Sequence, residues 1–205
     1  MKQNIKAVLF DLGKVIVDFD FTPAFGRLSR HCAKKPHEIR EYFLRSGLEV
    51  LYDGGKISSA EFYRKIKTDL GHSLDYGRFK KIWNEVFTLN KETGRLIKKL
   101  KRRYRLVLIS NTNALHYKYL CGRYTVLEHF DRHILSYKEK IRKPDEKIYR
   151  TAIRACRAKP HEILYIDDRS DLTEAARALG IHSFTFRNNH GELREKMRIL
   201  GVSFE

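Results

Sequence analysis

Four short apolar runs in the chain end on side chains able to do polar chemistry. "KAVLF" (6–10) runs into Asp11, "RLVLIS" (105–110) ends on Ser110 and passes to Asn111, "HILS" (133–136) leads to "RKPD" with Lys143, and "EILYI" (162–166) runs into Asp167 and Asp168. Carboxylates drawn from separate segments make an all-oxygen site for a hard cation such as Mg²⁺, which takes one or two carboxylates and keeps several waters. Such a cation shields a phosphate from a neighbouring carboxylate, so that the carboxylate can attack phosphorus and form an acyl phosphate. A lysine ammonium and a serine hydroxyl can hold the other phosphate oxygens as charge shifts in the transition state. Singly, each residue has a plainer role: an aspartate after a strand caps a helix, Ser110 and Asn111 suit turns, and a lysine before proline suits a surface. Their recurrence at four successive run ends points to one site for phosphoryl transfer.

The elements that must carry these residues are also readable. Runs of four to six residues rich in Val, Ile, Leu and aromatics predict strands covered on both faces, and "HSFTF" (182–186) makes a fifth. Helix-length stretches lie between the later runs, "PDEKIYRTAIRACRA" (144–158) and "LTEAARALG" (172–180), the second stopping at Gly180. This alternation predicts an α/β fold, a Rossmann-like, doubly wound parallel sheet whose ligands bind at the carboxyl ends of the strands. From about Asp18 to Asn90 the pattern is helical instead. "TPAFGRLSRHCAKK" opens with Thr22 as a cap and Pro23 at the first helical position, and "SSAEFYRKIKTDLG" runs from a serine to Gly71. The expected division is a core of residues 1–17 and 91–205 with a helical bundle, residues 18–90, inserted after the first strand.

Composition narrows the class. With 205 residues, 42% hydrophobic and 33% charged, the chain can bury one good core and is not of the disordered type. No apolar stretch reaches the roughly 20 residues of a membrane helix and the N-terminus shows no signal-peptide pattern, so the expected setting is cytoplasmic, with no membrane partner and a monomer or homodimer as the assembly. Cys32, Cys121 and Cys156 are scattered and form no C-x-x-C pair, which predicts reduced, structural thiols. The net charge of +17 and the run "KKLKRRYR" (98–105) invite a nucleic-acid reading. Leu96, Ile97 and Leu100 fall at helical spacing beside that run, however, so its basic residues are expected on a solvated helix face and nucleic acid is not the expected partner. His129 and His133 are four apart but lack the glutamate of a zinc-protease helix. Asp18 and Asp20 read as polar hinge residues.

The motifs resemble those of the haloacid dehalogenase superfamily: "FDLGKVIVDFD" the first, "LISNTN" the second, "RKPDEKIY" the third and "YIDDRSD" the fourth, while "GGKISSAEFYRKI" is similar to the helical cap of the α-D-glucose-1-phosphate phosphatase branch. The resemblance implies a Mg²⁺-dependent phosphomonoester hydrolase acting on a small phosphorylated substrate, a sugar phosphate above all. It makes Asp11 the nucleophile and a metal ligand, the Gly13 carbonyl and Asp168 further ligands with Asp167 beside them, and Ser110, Asn111 and Lys143 the phosphate holders. Three residues depart from the pattern: Gly13 stands where relatives often carry an acid–base aspartate, Lys140 where they carry glycine, and Leu172 where an Asn or Asp supports the metal. Two other readings remain, a metal-independent dehalogenase and a binding protein on an enzyme scaffold. The acids Asp167 and Asp168 weigh against the first, since negative charge beside a nucleophile needs a cation to balance it.

Overall fold

In a computed structural model, which describes residues 4–204, the four apolar runs and the fifth form one parallel sheet. Its strands are β1 (Ala7–Phe10), β4 (Arg105–Ser110), β5 (Arg132–Leu135), β6 (Ile163–Asp167) and β7 (His182–Thr185), in the order β5-β4-β1-β6-β7. Every residue of β1 is fully buried because both of its faces are covered. Val8 and Phe10 point with Leu106, Leu108, Leu164 and Ile166 into one layer, and Ala7 and Leu9 with Val107, Ile109, Ile163 and Tyr165 into the other. The alternation of side chains along a strand thus converts one continuous apolar run into two cores.

Helices α6 (Lys91–Leu100), α7 (Ala114–Arg123) and α11 (His190–Ile199) contribute to the first layer, and α9 (Glu146–Cys156) and α10 (Ser170–Ala178) to the second. A four-residue turn of helix, α8 (Ser136–Glu139), follows β5. In α6, Leu96, Ile97 and Leu100 are buried, as the spacing of the basic run requires. Cys32, Cys121 and Cys156 are all free thiols. Among the described residues no helix is long and apolar enough to cross a membrane.

The segment after β1 holds α1 (Thr22–Ser29), α2 (Pro36–Ser46), α3 (Leu48–Asp53), α4 (Ser59–Leu70) and α5 (Tyr76–Asn84). They pack around Trp83, which meets Phe43 at 4.9 Å and Phe62 at 5.2 Å between ring centroids. Two details differ from the sequence reading. The stretch is not helical at its ends: β2 (Val17–Phe19) and β3 (Phe87–Leu89) pair antiparallel there, with Val17 opposite Leu89 and Phe19 opposite Phe87. Strands of three residues are too short to show a period. Thr22 is also not the cap of α1 but its first residue; its N–H donates to Asp20 Oδ1 at 2.9 Å. The Ser58 and Gly71 boundaries of α4 are as read.

The helical segment is clamped to the sheet layer where α3 ends. Ser136 Oγ donates to the Asp53 carbonyl at 2.5 Å, and Leu115 N–H donates to Tyr52 Oη at 3.2 Å. Gly55, with φ +64°, lies so close to the Tyr137 carbonyl that a Cβ has no room. Gly55→Ala is therefore expected to lower the urea midpoint by more than Gly47→Ala. Gly47 has nearly the same φ, +63°, but open space around it, so its variant bears only the left-handed backbone cost of about 1–2 kcal/mol.

Candidate active site

Because β1 is the middle strand, with β4 and β6 on either side, the chain's crossover from one half of the sheet to the other opens a crevice at the carboxyl end of β1. Asp11 stands there, anchored by its N–H to the Ile166 carbonyl at 2.9 Å and almost wholly buried. Lys143 arrives on the segment beyond β5. Its ammonium donates to Asp11 Oδ1 and Asp167 Oδ2, each at 2.6 Å, to Tyr165 Oη at 3.1 Å and to the Ile109 carbonyl at 3.3 Å. Ser110, at the end of β4, lines the neighbouring chamber together with Gly13 and Asn111.

Asn111 has a part besides the one expected. Its Nδ2 donates to the Lys143 carbonyl at 3.0 Å and its Oδ1 accepts from the Lys143 N–H at 2.9 Å. An amide used on both sides to bracket the Lys143 peptide positions that lysine, and its second Nδ2–H is left over for a ligand in the crevice. Asp167 is similarly committed: Oδ2 accepts from Lys143 and from the Tyr165 hydroxyl, and Oδ1 accepts from the Arg169 N–H at 2.9 Å. Asp168, half-buried beside it, is the open member of the pair.

One carboxylate oxygen from each of Asp11, Asp167 and Asp168 lies within 4.8 Å of the others. Three carboxylates face one buried ammonium, and the imbalance acts on Asp11 and Asp168. Burial, with repulsion from Asp167, pushes Asp11 up to about 7 despite the pull of Lys143. Burial and the Asp167 charge also raise Asp168. Burial acts to lower the Lys143 ammonium, but Asp11 and Asp167 outweigh it and hold Lys143 above its ordinary value. Three carboxylate oxygens gathered this closely, two of them on carboxyls raised by burial and mutual repulsion, fit a hard divalent cation.

Sequence reasoning missed several groups around this crevice. Lys14, Arg142 and Arg169 line it along with Leu172, and Asp53 enters from α3. Asp18 and Asp20 do not line it; Asp18 is half-buried, 3.6 Å from Lys14, and Asp20 accepts the Thr22 N–H at the start of α1. His133 is taken by the Tyr117 hydroxyl at 2.8 Å. Tyr165 is indistinguishable by type from the apolar residues around it in β6, and Asp53 is 42 positions from Asp11, so no local pattern marks either.

A Rossmann-like parallel sheet thus gathers three carboxylates and a buried lysine at the end of its central strand. The chain belongs to the haloacid dehalogenase-like hydrolases, whose family model matches residues 5–180. It is 25% identical to a D-ribitol-5-phosphate phosphatase of Bacteroides thetaiotaomicron over 203 residues, covering 96% of this chain and 98% of that one. Among solved structures it is similar to a family enzyme of the same organism, in complex with magnesium and inorganic phosphate, at a TM-score of 0.80 and 28% identity, covering 88% of this chain and 93% of that one. It is also similar to a predicted hydrolase of the family from Porphyromonas gingivalis, at a TM-score of 0.81 and 26% identity over 96% of this chain and 98% of that one.

Proposed function

We propose that the protein is a Mg²⁺-dependent phosphomonoester hydrolase for a small sugar or sugar-alcohol phosphate, working through a phosphorylated Asp11. The observation that carries this is the pairing of Asp11 with buried Lys143 at 2.6 Å beside the open carboxylate of Asp168. Asp11, Asp168 and the Gly13 carbonyl are the donors that would hold Mg²⁺, which supplies charge neutralisation of the phosphate when bound. Asp11 attacks phosphorus, and Lys143 and the Ser110 hydroxyl stabilise the phosphoryl oxygens. Asp167 and Tyr165 orient Lys143 from behind, while Asn111 fixes its backbone. The similarity to a D-ribitol-5-phosphate phosphatase and to an enzyme solved with magnesium and phosphate supports the reading. So do the chambers on either side of Asp53, about 160 and 220 Å³ in volume, the scale of a metabolite rather than a polymer.

The test is phosphate release across a set of sugar and sugar-alcohol phosphates with Mg²⁺, with Asp11→Asn as the blank. Excess EDTA is expected to reduce the rate to that of the blank and added Mg²⁺ to restore it. Halide release from a 2-haloacid that persists in EDTA would show the dehalogenase instead.

A further inference from the structure

Gly13 leaves the proposed reaction without a proton donor for the departing oxygen, and the structure shows why the deficit is not met locally. The Phe19 ring lies 3.1 Å from where a Cβ on residue 13 would stand, so the space a side chain there would use is filled by an apolar ring. Lys14 reinforces that arrangement, with its ammonium 4.6 Å above the ring and 3.0 Å from the Phe19 carbonyl.

Two chambers meet at this point. One contains Asp11, Lys143 and Asp168 and suits the phosphoryl group. The other, behind Gly13, is walled by Phe19, Phe21 and Phe87 with Glu49, Asn113 and His116 among its polar groups, and suits the alcohol portion. Four residues line both: Gly13, Phe19, Asn111 and Asp53. The bridging oxygen of a phosphate ester must sit at this junction, and Asp53 is the one ionisable side chain among the four. We propose that Asp53, carried in from α3, is the general acid–base of the reaction, doing from the inserted helices what residue 13 cannot. This rests on the phosphatase reading above.

The placement of Asp53 is built rather than incidental. Asn113 Nδ2 donates to Asp53 Oδ1 at 3.0 Å, and Asn113 is itself fixed by accepting the His116 N–H at 3.0 Å as the cap of α7. The Asp53 carbonyl takes the Ser136 hydroxyl, which ties the backbone of the same residue to the segment after β5. Oδ2 has no hydrogen bond from the protein among the described residues and is the oxygen left for substrate. Burial raises the Asp53 carboxyl, against the Asn113 hydrogen bond and the positive charge of Arg142. Glu49, one turn earlier on α3, is raised to about 7 by burial and by Asp53. A carboxyl whose hold on its proton is strengthened by burial, placed beside a leaving oxygen, meets the requirement for general acid catalysis.

An Asp11 carboxylate oxygen bonds to phosphorus as the phosphorus–ester oxygen bond breaks. The electron pair stays on the ester oxygen, which takes the Asp53 proton and leaves as an alcohol. The Asp53 carboxylate then takes a proton from a water whose oxygen bonds to phosphorus. The bond from phosphorus to Asp11 breaks, returning the Asp11 carboxylate, the Asp53 carboxyl and orthophosphate.

The experiment compares kcat/KM of the parent and Asp53→Asn on p-nitrophenyl phosphate, whose leaving group needs no proton, and on D-ribitol 5-phosphate, whose alcohol does. The variant is expected to lose about 10²-fold on the alkyl ester and only a few-fold on the aryl ester. The ratio of the two values does not depend on how much of a preparation is folded, and Asp53→Ala is read in the same way. Acid-quenched Asp53→Asn is also expected to hold about one covalent phosphate per active chain with the aryl substrate, because the second step has lost its base. Equal losses on both esters, or none, would overturn the assignment of Asp53 while leaving the phosphatase reading intact. Failure of the parent to exceed Asp11→Asn on either ester overturns the phosphatase reading itself.

Discussion

Asp11→Asn is expected to lose about 10⁴-fold or more in kcat and yet, in EDTA at pH 8, to unfold at a higher urea concentration than the parent. Both effects come from one feature. Asp11 is buried at the carboxyl end of a strand covered on both faces, where ionisation is opposed by lost hydration and by Asp167. Lys143 offsets only part of this, so the folded-state value is about 7 against 3.8 for the free group. A carboxyl whose value rises on folding favours the folded state below its unfolded value, and that contribution is lost as pH rises through the folded one. The parent in EDTA should therefore lose stability between about pH 4 and pH 7, by an amount on the order of 2–4 kcal/mol, and level off above that. The amide in Asp11→Asn keeps an oxygen for the Lys143 ammonium and has no charge to desolvate. Its advantage should be small at pH 4, grow toward pH 7 and then remain constant. Mg²⁺ should reverse the order, stabilising the parent by binding to its folded form and leaving the variant nearly unchanged. A variant less stable than the parent at pH 8 in EDTA would mean that Asp11 is not the strained group of the site.

The contrast between Asp11 and Asp53 shows what a sequence of this kind reveals. Asp11, Ser110, Lys143 and the acids 167 and 168 were readable because each follows a segment whose apolar run is itself the signal, and topology dictates that such ends converge. The five parallel strands match their runs to within a residue or so for the same reason. Residues acting from outside that rule left no mark. Asp53 sits at the end of a six-residue helix with nothing nearby to distinguish it from a solvated acid, and its burial depends on contacts made across the fold, Ser136 with its carbonyl and Gly55 against Tyr137. Asn111 was placed at its strand end, but its bond to the Lys143 peptide was not legible, since only the path of the Lys143 segment brings that peptide to the amide. Likewise β2 and β3 are separated by 67 residues and contribute three each, so their pairing is a consequence of packing rather than of any local pattern.

Gly13 and Phe19 join these two levels. The chain that leaves β1 turns at once into β2, which brings Phe19 back over Gly13 and sets the inner wall of the second chamber. A residue that looks like a loss in the sequence is, in the fold, the condition for that wall. The proton chemistry can then come from the inserted helices that also border the alcohol chamber, so that substrate choice and acid catalysis share one surface.

Lys143→Met should have the largest effect on stability. The ammonium is buried with four oxygen partners, and it is the charge that allows Asp11 and Asp167 to lie on either side of it. Methionine fills similar space without overpacking, which isolates the electrostatic loss. Removing one member of such a buried network leaves uncompensated carboxylates, at about 3–5 kcal/mol. Without the lysine's attraction the Asp11 carboxyl should rise beyond about 7, so the folded variant retains a proton over a wider range and its stability keeps falling at pH values where the parent has levelled off. The urea midpoint is accordingly expected to differ little from the parent at pH 4 and to fall far below it at pH 8. A divalent cation supplies the missing positive charge, so Mg²⁺ should restore part of the midpoint at pH 8, whereas the same ionic strength of NaCl should not. Turnover should stay down by about 10²-fold or more even with Mg²⁺ saturating, since the ion replaces the lysine's charge but not its hydrogen bonds to the phosphoryl oxygens. An unchanged midpoint at pH 8 would show that the two carboxylates are held by something other than Lys143.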